Sequence, residues 1–185
     1  SVMAQMETRP LGRSGLQVSL VGLGCMNFGA MNDQAQATAI VNRALELGVN
    51  FFDTADVYGN RGASEEYLGK ALKGRRQDAV VATKFVGPTG SFVGLLNMGT
   101  SRRHIMYAVE ASLKRLDTDY IDLYQVHFPY PGVPMQETLR TLDDLIRQGK
   151  VRYIGSSNFE AWRLIDANWI ARSEHLTPFI SAQNA

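Results

Sequence analysis

The sequence predicts an α/β fold in which parallel β-strands alternate with α-helices. Strand-like apolar segments and helix-like amphipathic segments take turns along the chain, at a spacing of roughly 30 to 40 residues. No change in composition separates one repeat from the next. Because parallel strands need helical crossovers, this alternation is typical of a βα-repeat fold, and residues 1–185 are expected to form a single domain.

The first half of the chain is predicted to form a hairpin, three strands and two helices. Residues 6–19 form the hairpin, because two glycines flank the small polar turn at 12–15. Apolar stretches at 18–24, 49–53 and 78–84 predict strands. Apolar residues at helical spacing predict the helices. The first helix contains Ile40, Val41, Ala44 and Leu45, is capped by Asn32 or Asp33, and ends at Gly48. The second contains Leu68, Ala71 and Leu72, opens at Ser64, and ends near Gly74.

The second half continues the pattern with three strands and three helices. The strands cover 120–126, 151–155 and 179–183. Ser101 caps the first of these helices, Pro134 begins the second, and Phe159 begins a third that runs to about Ser173. The third helix contains Trp162 and Trp169, whose spacing we interpret as core packing.

Composition excludes several classes of protein. The chain is 45% hydrophobic and 20% charged, and its net charge of +1 gives no reason to expect a nucleic-acid or membrane partner. No apolar run approaches the roughly 20 residues of a membrane-spanning helix. The basic pairs 75–76 and 102–103 are interpreted as solvated helix ends. The single cysteine, Cys25, fits a reducing compartment, so we expect a cytoplasmic protein.

Polar side chains stand where the predicted strands end. Asp53, Lys84 and His127 end three successive strands, and residues 156–158 and Gln183 follow or end the next two. A closed (β/α)8 barrel brings such ends to one mouth, whereas a doubly wound open sheet spreads them along an edge. Length favours the open sheet, because an eight-unit barrel takes roughly 250 residues. The placement of the polar residues favours the barrel.

These residue types suit the protonation of a carbonyl group. Asp53 offsets the desolvation of a buried Lys84, and that cation favours the phenolate form of Tyr58, which makes the phenol a usable general acid. A neutral His127 can donate a hydrogen bond to the same carbonyl oxygen. The sequence shows no nucleophile and no metal-ligand spacing, so a cofactor has to supply the hydride. The glycines at 22, 24 and 29 lack the spacing of a dinucleotide-binding G-x-G-x-x-G motif.

The chain resembles the aldo-keto reductase family over nearly its whole length. The matching segments are 22–29, 52–59, 81–84, 119–127 and 149–159, in the family's order. The resemblance implies a (β/α)8 TIM barrel with about six βα units present after an N-terminal β-hairpin. It also implies NADPH-dependent reduction of aldehydes or ketones, with NADH as the alternative cofactor. The implied catalytic residues are Asp53, Tyr58, Lys84 and His127, and the implied cofactor contacts are Gly24, Cys25, Met26, Asp53, Ser157, Asn158 and Gln183.

The chain departs from the family pattern after Gln183. Family members continue for two more βα units, which supply an aromatic residue against the nicotinamide and basic residues for the phosphates. We therefore expect residues 1–185 to form a barrel domain that lacks its last two units. Some relatives with this barrel are cofactor-binding regulatory subunits of membrane channels, which is the alternative function.

The segment from Val86 to Thr100 is predicted to shape a substrate pocket. It follows the Lys84 strand, so it lies over the expected mouth, and it combines glycines with apolar residues such as Phe92. Phe128 and Tyr130, just after His127, are expected to add an aromatic wall. The predicted substrate is a small carbonyl compound.

Overall fold

The main sheet consists of parallel strands in the order of the sequence. The computed structural model of the protein describes residues 6–88 and 94–185. Within these residues the sheet has six strands. They are β3 (Leu23–Gly24), β4 (Phe51–Asp53), β5 (Val80–Phe85), β6 (Ile121–Val126), β7 (Val151–Ser157) and β8 (Ala182–Gln183), preceded by an antiparallel hairpin of β1 (Thr8–Pro10) and β2 (Gln17–Ser19). The predicted hairpin and βα-repeat fold are confirmed.

A helix follows each of the strands β3 to β7. The described part of the chain contains five α-helices: α1 (Gln34–Glu46), α2 (Tyr58–Ala71), α3 (Arg102–Leu116), α4 (Met135–Arg147) and α5 (Ala161–Ser173). Asp33 rather than Asn32 caps α1, in a capping box with Gln36. Ser101 caps α3 by accepting a hydrogen bond from the backbone N–H of His104. Short 3₁₀ helices occupy Arg76–Asp78 and Leu95–Asn97.

The sheet curls into a partial barrel. The side-chain amide of Gln183 on β8 donates to Oδ2 of Asp53 on β4 over 3.2 Å. These strands are four positions apart, a separation of about 19 Å in a flat sheet. Gln125 on β6 bridges the same two side chains, with 3.4 Å to Asp53 and 3.2 Å to Gln183. The open sheet that chain length favours is therefore wrong, and the partial (β/α)8 barrel is confirmed.

The core lies between the outer face of the sheet and the helices. Alternate strand residues point to the helices and are almost fully buried, as Phe52, Phe85 and Tyr124 show. Each fully buried Leu, Ile or Phe side chain contributes about 1.5–3 kcal/mol to stability. The helices supply the matching apolar faces: Leu68, Ile105, Val109, Leu139, Leu142 and Ala167.

Two predicted strands are shorter in the structure. The stretch 18–24 divides into the end of the hairpin and the edge strand β3, and Leu20 and Val21 between them are exposed. The strand expected at 179–183 pairs only over Ala182–Gln183. Apolar composition did not show where strand pairing begins at either place.

The α5 tryptophans, interpreted as core residues, do not lie in the core of the described residues. Trp162 is 60% exposed and Trp169 is 71% exposed, and Ile165 lies on the same stripe at 69%. The helix packs inward through Ala167 and Ala171, which are fully buried. The tryptophan stripe faces away from that contact, where no other described element covers it. Helical spacing shows which residues share a face, but it does not show what the face packs against.

Candidate active site

Asp53 and Lys84 form a closely bonded ion pair inside the barrel. The ammonium Nζ of Lys84 donates to both carboxylate oxygens of Asp53, over 2.9 Å and 2.7 Å, and to the carbonyl oxygen of Thr54 over 3.0 Å. The lysine side chain is 2% exposed and the aspartate side chain 21% exposed. Burial of this lysine is tolerated because all three contacts are hydrogen bonds to oxygen.

The backbone after β4 brings Tyr58 to this pair. The amides of Thr54 and Asp56 donate to the carbonyl oxygens of Ala82 and Lys84, which extends the β4–β5 pairing past Asp53. The chain then turns, and Lys84 Nζ lies 5.1 Å from the centroid of the Tyr58 ring. A cation at this distance from an aromatic face is attracted to it.

A left-handed backbone segment follows Tyr58. Gly59, Asn60 and Arg61 have φ angles of 65°, 58° and 66° within the element assigned as α2. Left-handed backbone costs L-residues about 1–2 kcal/mol each. Glycine is required at the first position, since a β-carbon on Gly59 would lie 2.4 Å from the carbonyl oxygen of Phe28. The regular helix starts after Gly62, which agrees with the predicted opening at Ser64.

His127 completes the cluster from the end of β6. Its ring lies edge-on to Tyr58, with 5.7 Å between the ring centroids. Burial lowers the pKa of His127 to about 4, and the positive charge of Lys84 acts in the same direction while Asp53 opposes it. The imidazole is therefore neutral at neutral pH. Its Nδ1 atom is buried and has no hydrogen-bond partner in residues 6–88 and 94–185.

Ser157, Asn158 and Gln183 form a hydrogen-bonded polar patch at the ends of β7 and β8. Ser157 Oγ donates to the carbonyl oxygen of Gln183 over 2.8 Å. The side-chain amide of Asn158 donates to the carbonyl oxygen of His127 over 3.0 Å and to Ser157 Oγ over 3.1 Å. Asn158 has a φ of 57°, a conformation that asparagine adopts more readily than most residues. The patch thus adjoins His127 and, through Gln183, Asp53.

The three residues after β3 have different environments. Gly24 is exposed, and a β-carbon there would meet no described atom within 4 Å. Cys25 is fully buried, and burial followed by the charge of Asp53 raises the pKa of its thiol. Met26 is 58% exposed. A cleft of about 430 Å³ runs along Gly24 and Asp53 to Gln183.

Sequence reasoning missed Gln125 as a member of the cluster. It lies two residues before His127, so the two side chains share the inner face of β6. Side chains alternate between the two faces of β6, so the position of His127 indicates that Gln125 also points inward. Taking only the last residue of each strand misses Gln125.

The segment expected to shape a pocket is partly described. Phe92 and Gly90 lie outside the described residues. Leu95 and Leu96 are 86% and 63% exposed. Phe128 is 39% exposed, and its ring centroid lies 5.6 Å from that of His127.

Neither a membrane-spanning helix nor a metal-binding cluster is found in the described residues. Within 6–88 and 94–185, none of the helices has the length and apolar character to cross a membrane. In that part of the chain, no group of three or more His, Cys, Asp or Glu side chains is placed to hold a metal ion.

Comparison with known proteins gives a family match over most of the chain. The model of the Aldo/keto reductase family matches residues 20–185. The uncharacterized oxidoreductase YrpG of Bacillus subtilis (strain 168) is 40% identical over 191 residues, which cover 97% of this chain and 57% of the relative. The versiconal hemiacetal acetate reductase of Aspergillus parasiticus is 38% identical over 203 residues, covering 97% of this chain and 59% of that protein.

A protein named as a channel subunit is also similar to this chain. A probable voltage-gated potassium channel subunit beta of Oryza sativa subsp. japonica is 40% identical over 167 residues, covering 88% of this chain and 49% of that protein. The chain thus spans about half the length of the curated relatives it matches.

Proposed function

The chain belongs to the aldo/keto reductase family, and we propose that the protein reduces aldehydes or ketones to alcohols by hydride transfer, with Tyr58 as the proton donor. The observation that carries the proposal is the buried Lys84 ammonium, which contacts the Asp53 carboxylate and lies 5.1 Å from the Tyr58 ring. Such an arrangement supports proton transfer at a site from which water is largely excluded.

Lys84 stabilises the charge that proton transfer leaves on Tyr58. When the phenol gives its proton to a carbonyl oxygen, it becomes a phenolate, and the nearby ammonium offsets this negative charge. Asp53 holds the ammonium in place through two hydrogen bonds. Asp53 is therefore assigned an orienting role and Tyr58 the proton-donating role.

His127 is proposed to orient the carbonyl substrate. It is neutral at neutral pH, so one ring nitrogen carries a hydrogen and can donate to the substrate oxygen. Its ring lies beside Tyr58, and two donors on one oxygen fix the direction of the carbonyl group. Phe128 next to it would contact the rest of a small carbonyl compound.

The polar patch of Ser157, Asn158 and Gln183 fits a nicotinamide carboxamide. Amide and hydroxyl groups are the chemical partners of a carboxamide, and here they lie in one hydrogen-bonded group beside Asp53. The cofactor, NADPH in our proposal, supplies the hydride when bound. Exposed Gly24 and Met26 would lie against it, whereas Cys25 would contribute backbone, since its side chain is buried.

We also propose that two further βα units complete the barrel. The cleft of about 430 Å³ lies between the β3–β4 edge of the sheet and Gln183 on β8. Outside the sheet, an apolar groove at β3 and the stripe of Trp162, Ile165 and Trp169 on α5 are both left open. Additional strands and helices would cover all three surfaces. The intact mass of the natural protein tests this proposal.

The reaction is tested by NADPH oxidation in the presence of 4-nitrobenzaldehyde, using the protein at its full natural length. We expect turnover with the wild type. The Tyr58→Phe variant should lose more than about 99% of turnover, because removal of a general acid costs about 10²–10⁴-fold. Its affinity for NADPH should stay within twofold, since the lost hydroxyl acts on the substrate oxygen.

Tyr107→Phe provides the matched control, because Tyr107 is an exposed tyrosine on α3. It should retain wild-type turnover. A Tyr58→Phe variant with most of its turnover would refute the proton-donor assignment. Tight NADPH binding with negligible wild-type turnover would instead favour a cofactor-binding regulatory subunit of a channel. A parallel titration with NADH decides the cofactor preference.

The buried free thiol of Cys25 supports a cytoplasmic location.

A further inference from the structure

Asp56 is a fully buried acid without a hydrogen-bonding partner for its side chain. Its exposed fraction is 0%, and neither carboxyl oxygen makes a hydrogen bond to any group in residues 6–88 and 94–185. A buried ionised carboxylate without a partner is very costly, and such groups take up a proton instead. Asp56 lies three residues after Asp53 and two before Tyr58, so its state bears on the proposed site.

The charged groups around Asp56 compensate a negative charge there only in part. Glu65 on α2 is also fully buried, and its two oxygens accept hydrogen bonds from Thr83 Oγ1 and from Nε of Arg115 on α3. The positive charge of Arg115 is thus bonded to Glu65, over 2.7 Å. From β6, Tyr124 contributes a buried hydroxyl that also lacks a partner in the described chain.

These surroundings favour the protonated form. Burial raises the pKa of Asp56 well above its usual range, and the negative charge of Glu65 raises it further. Arg115 acts in the opposite direction, as do the nearby backbone N–H groups of Val57 and of Asp56 itself.

The backbone of Asp56 is joined directly to the catalytic strand. Its amide donates to the carbonyl oxygen of Lys84 over 3.1 Å, so this residue ends the extended pairing between β4 and β5. Asp56 lies within the turn that carries Tyr58, since the amide of Tyr58 donates to the carbonyl oxygen of Ala55 over 3.1 Å. Because the side chain is fully buried, hydration of the carboxyl group would require this turn or the elements around it to move.

We infer that Asp56 is a positioning residue, whose uncharged carboxylic acid packs under the β4–α2 turn and thereby keeps Tyr58 beside Lys84. The inference rests on the proposed function for the role of Tyr58, but the uncharged state of Asp56 is independent of it. Ionisation of Asp56 at alkaline pH would require water at the buried oxygens. It would move the turn and separate the phenol from the ammonium.

The charge state is tested by unfolding in urea from pH 5 to 9, with Asp56→Asn as the neutral isostere. An acid with a raised pKa in the folded state stabilises the fold fully only below its unfolded value of about 3.8, and this stability is lost as pH rises. The wild type should therefore lose about tenfold in folding equilibrium constant per pH unit relative to Asp56→Asn, until the folded-state pKa is reached.

Glu66→Gln is the matched control, because Glu66 is an exposed acid on the same helix. Its stability should follow that of the wild type at every pH. If the wild type and Asp56→Asn show parallel stability curves, Asp56 is ionised in the folded protein and the inference is wrong.

The positioning role is tested by kinetics in the full-length protein with NADPH and 4-nitrobenzaldehyde. Asp56→Ala should lower kcat at least tenfold while the Kd for NADPH stays within twofold, and Asp56→Asn should restore kcat. Full kcat in Asp56→Ala, or an equal loss in both variants, would overturn the role. If the wild type itself shows no turnover, the proposed function fails, and the urea experiment still decides the charge state.

Discussion

Gly87 lies directly against Val57, so closely that a β-carbon at position 87 would be 2.5 Å from Cγ1 of Val57. Gly87 comes three residues after Lys84, and Val57 immediately precedes Tyr58. This contact therefore sets how closely the turn carrying the phenol approaches the strand carrying the ammonium. Only a residue without a side chain leaves room for that approach.

Gly87→Ala should separate Tyr58 from Lys84. We expect a fall in kcat of about 10-fold to 100-fold, because a displacement near 1 Å in a catalytic group costs up to about 10²-fold. The double variant Gly87→Ala/Val57→Ala should recover most of the loss, since it removes the colliding methyl group. Steady-state kinetics with NADPH and 4-nitrobenzaldehyde measure both effects.

Gly15→Ala is the control for an added methyl group, because no described atom lies within 4 Å of its β-carbon position. Its kcat should equal that of the wild type. A double variant as impaired as Gly87→Ala would show that the contact with Val57 is not the cause.

Removal of the lysine charge should destabilise the fold. In Lys84→Met, Asp53 keeps only the weaker amide donors of Gln125 and Gln183. Removing one partner of a buried ion pair costs about 3–5 kcal/mol, and the partial exposure of Asp53 makes the expected loss about 3 kcal/mol. The free energy of unfolding in urea measures this loss.

The double variant Asp53→Asn/Lys84→Met separates charge from packing. It should be more stable than Lys84→Met, because it leaves no uncompensated carboxylate. Lys73→Met, at an exposed lysine, should change stability by less than about 0.5 kcal/mol. A double variant less stable than Lys84→Met would argue against the electrostatic account.

The strand ends are predictable from the amino-acid pattern, but the curvature of the sheet is not predictable from length. The strand-like apolar stretches stop at or just before Asp53, Lys84 and His127, so the pattern alone places these residues at strand ends. Whether these strand ends meet depends on how the sheet twists and closes. The hydrogen bond between Gln183 and Asp53 shows that they do meet. The inward position of Gln125 follows from the same alternation once His127 is placed.

Other features depend on contacts that no local pattern contains. Trp162 and Trp169 share a helical face, yet spacing alone does not show that this face is exposed. Asp56 is a polar residue in a loop-like stretch, and its complete burial results from the packing of α2 and α3 over the sheet. The left-handed φ of Asn60, just after Tyr58, was not predictable from the local sequence.

Phe128 should influence the choice of aldehyde more than the affinity for the cofactor. Its half-exposed ring lies 5.6 Å from that of His127, at the mouth of the barrel. For Phe128→Ala we expect kcat/KM for 4-nitrobenzaldehyde to fall about fivefold relative to propanal, because an aromatic contact contributes about 0.5–1.5 kcal/mol. The Kd for NADPH should be unchanged.

Tyr107→Ala, at an exposed aromatic residue of α3, should alter neither preference nor cofactor affinity. Equal effects of Phe128→Ala on the aldehyde preference and on NADPH affinity would contradict its place in a substrate pocket.

His127 should make the fold sensitive to mild acid. Burial and Lys84 lower its pKa from 6.5 to about 4, with Asp53 opposing them, so the unfolded chain binds a proton at a higher pH than the folded protein. Its contribution to stability is therefore complete above pH 6.5 and is lost as pH falls toward 4. In His127→Gln, which cannot ionise, the free energy of unfolding should fall less steeply across this window, as urea titrations at several pH values would show.

His175→Gln, which removes an exposed imidazole, should follow the wild-type curve. If both variants follow it, His127 takes up its proton equally in the folded and unfolded states, and the lowered pKa assigned to it is wrong.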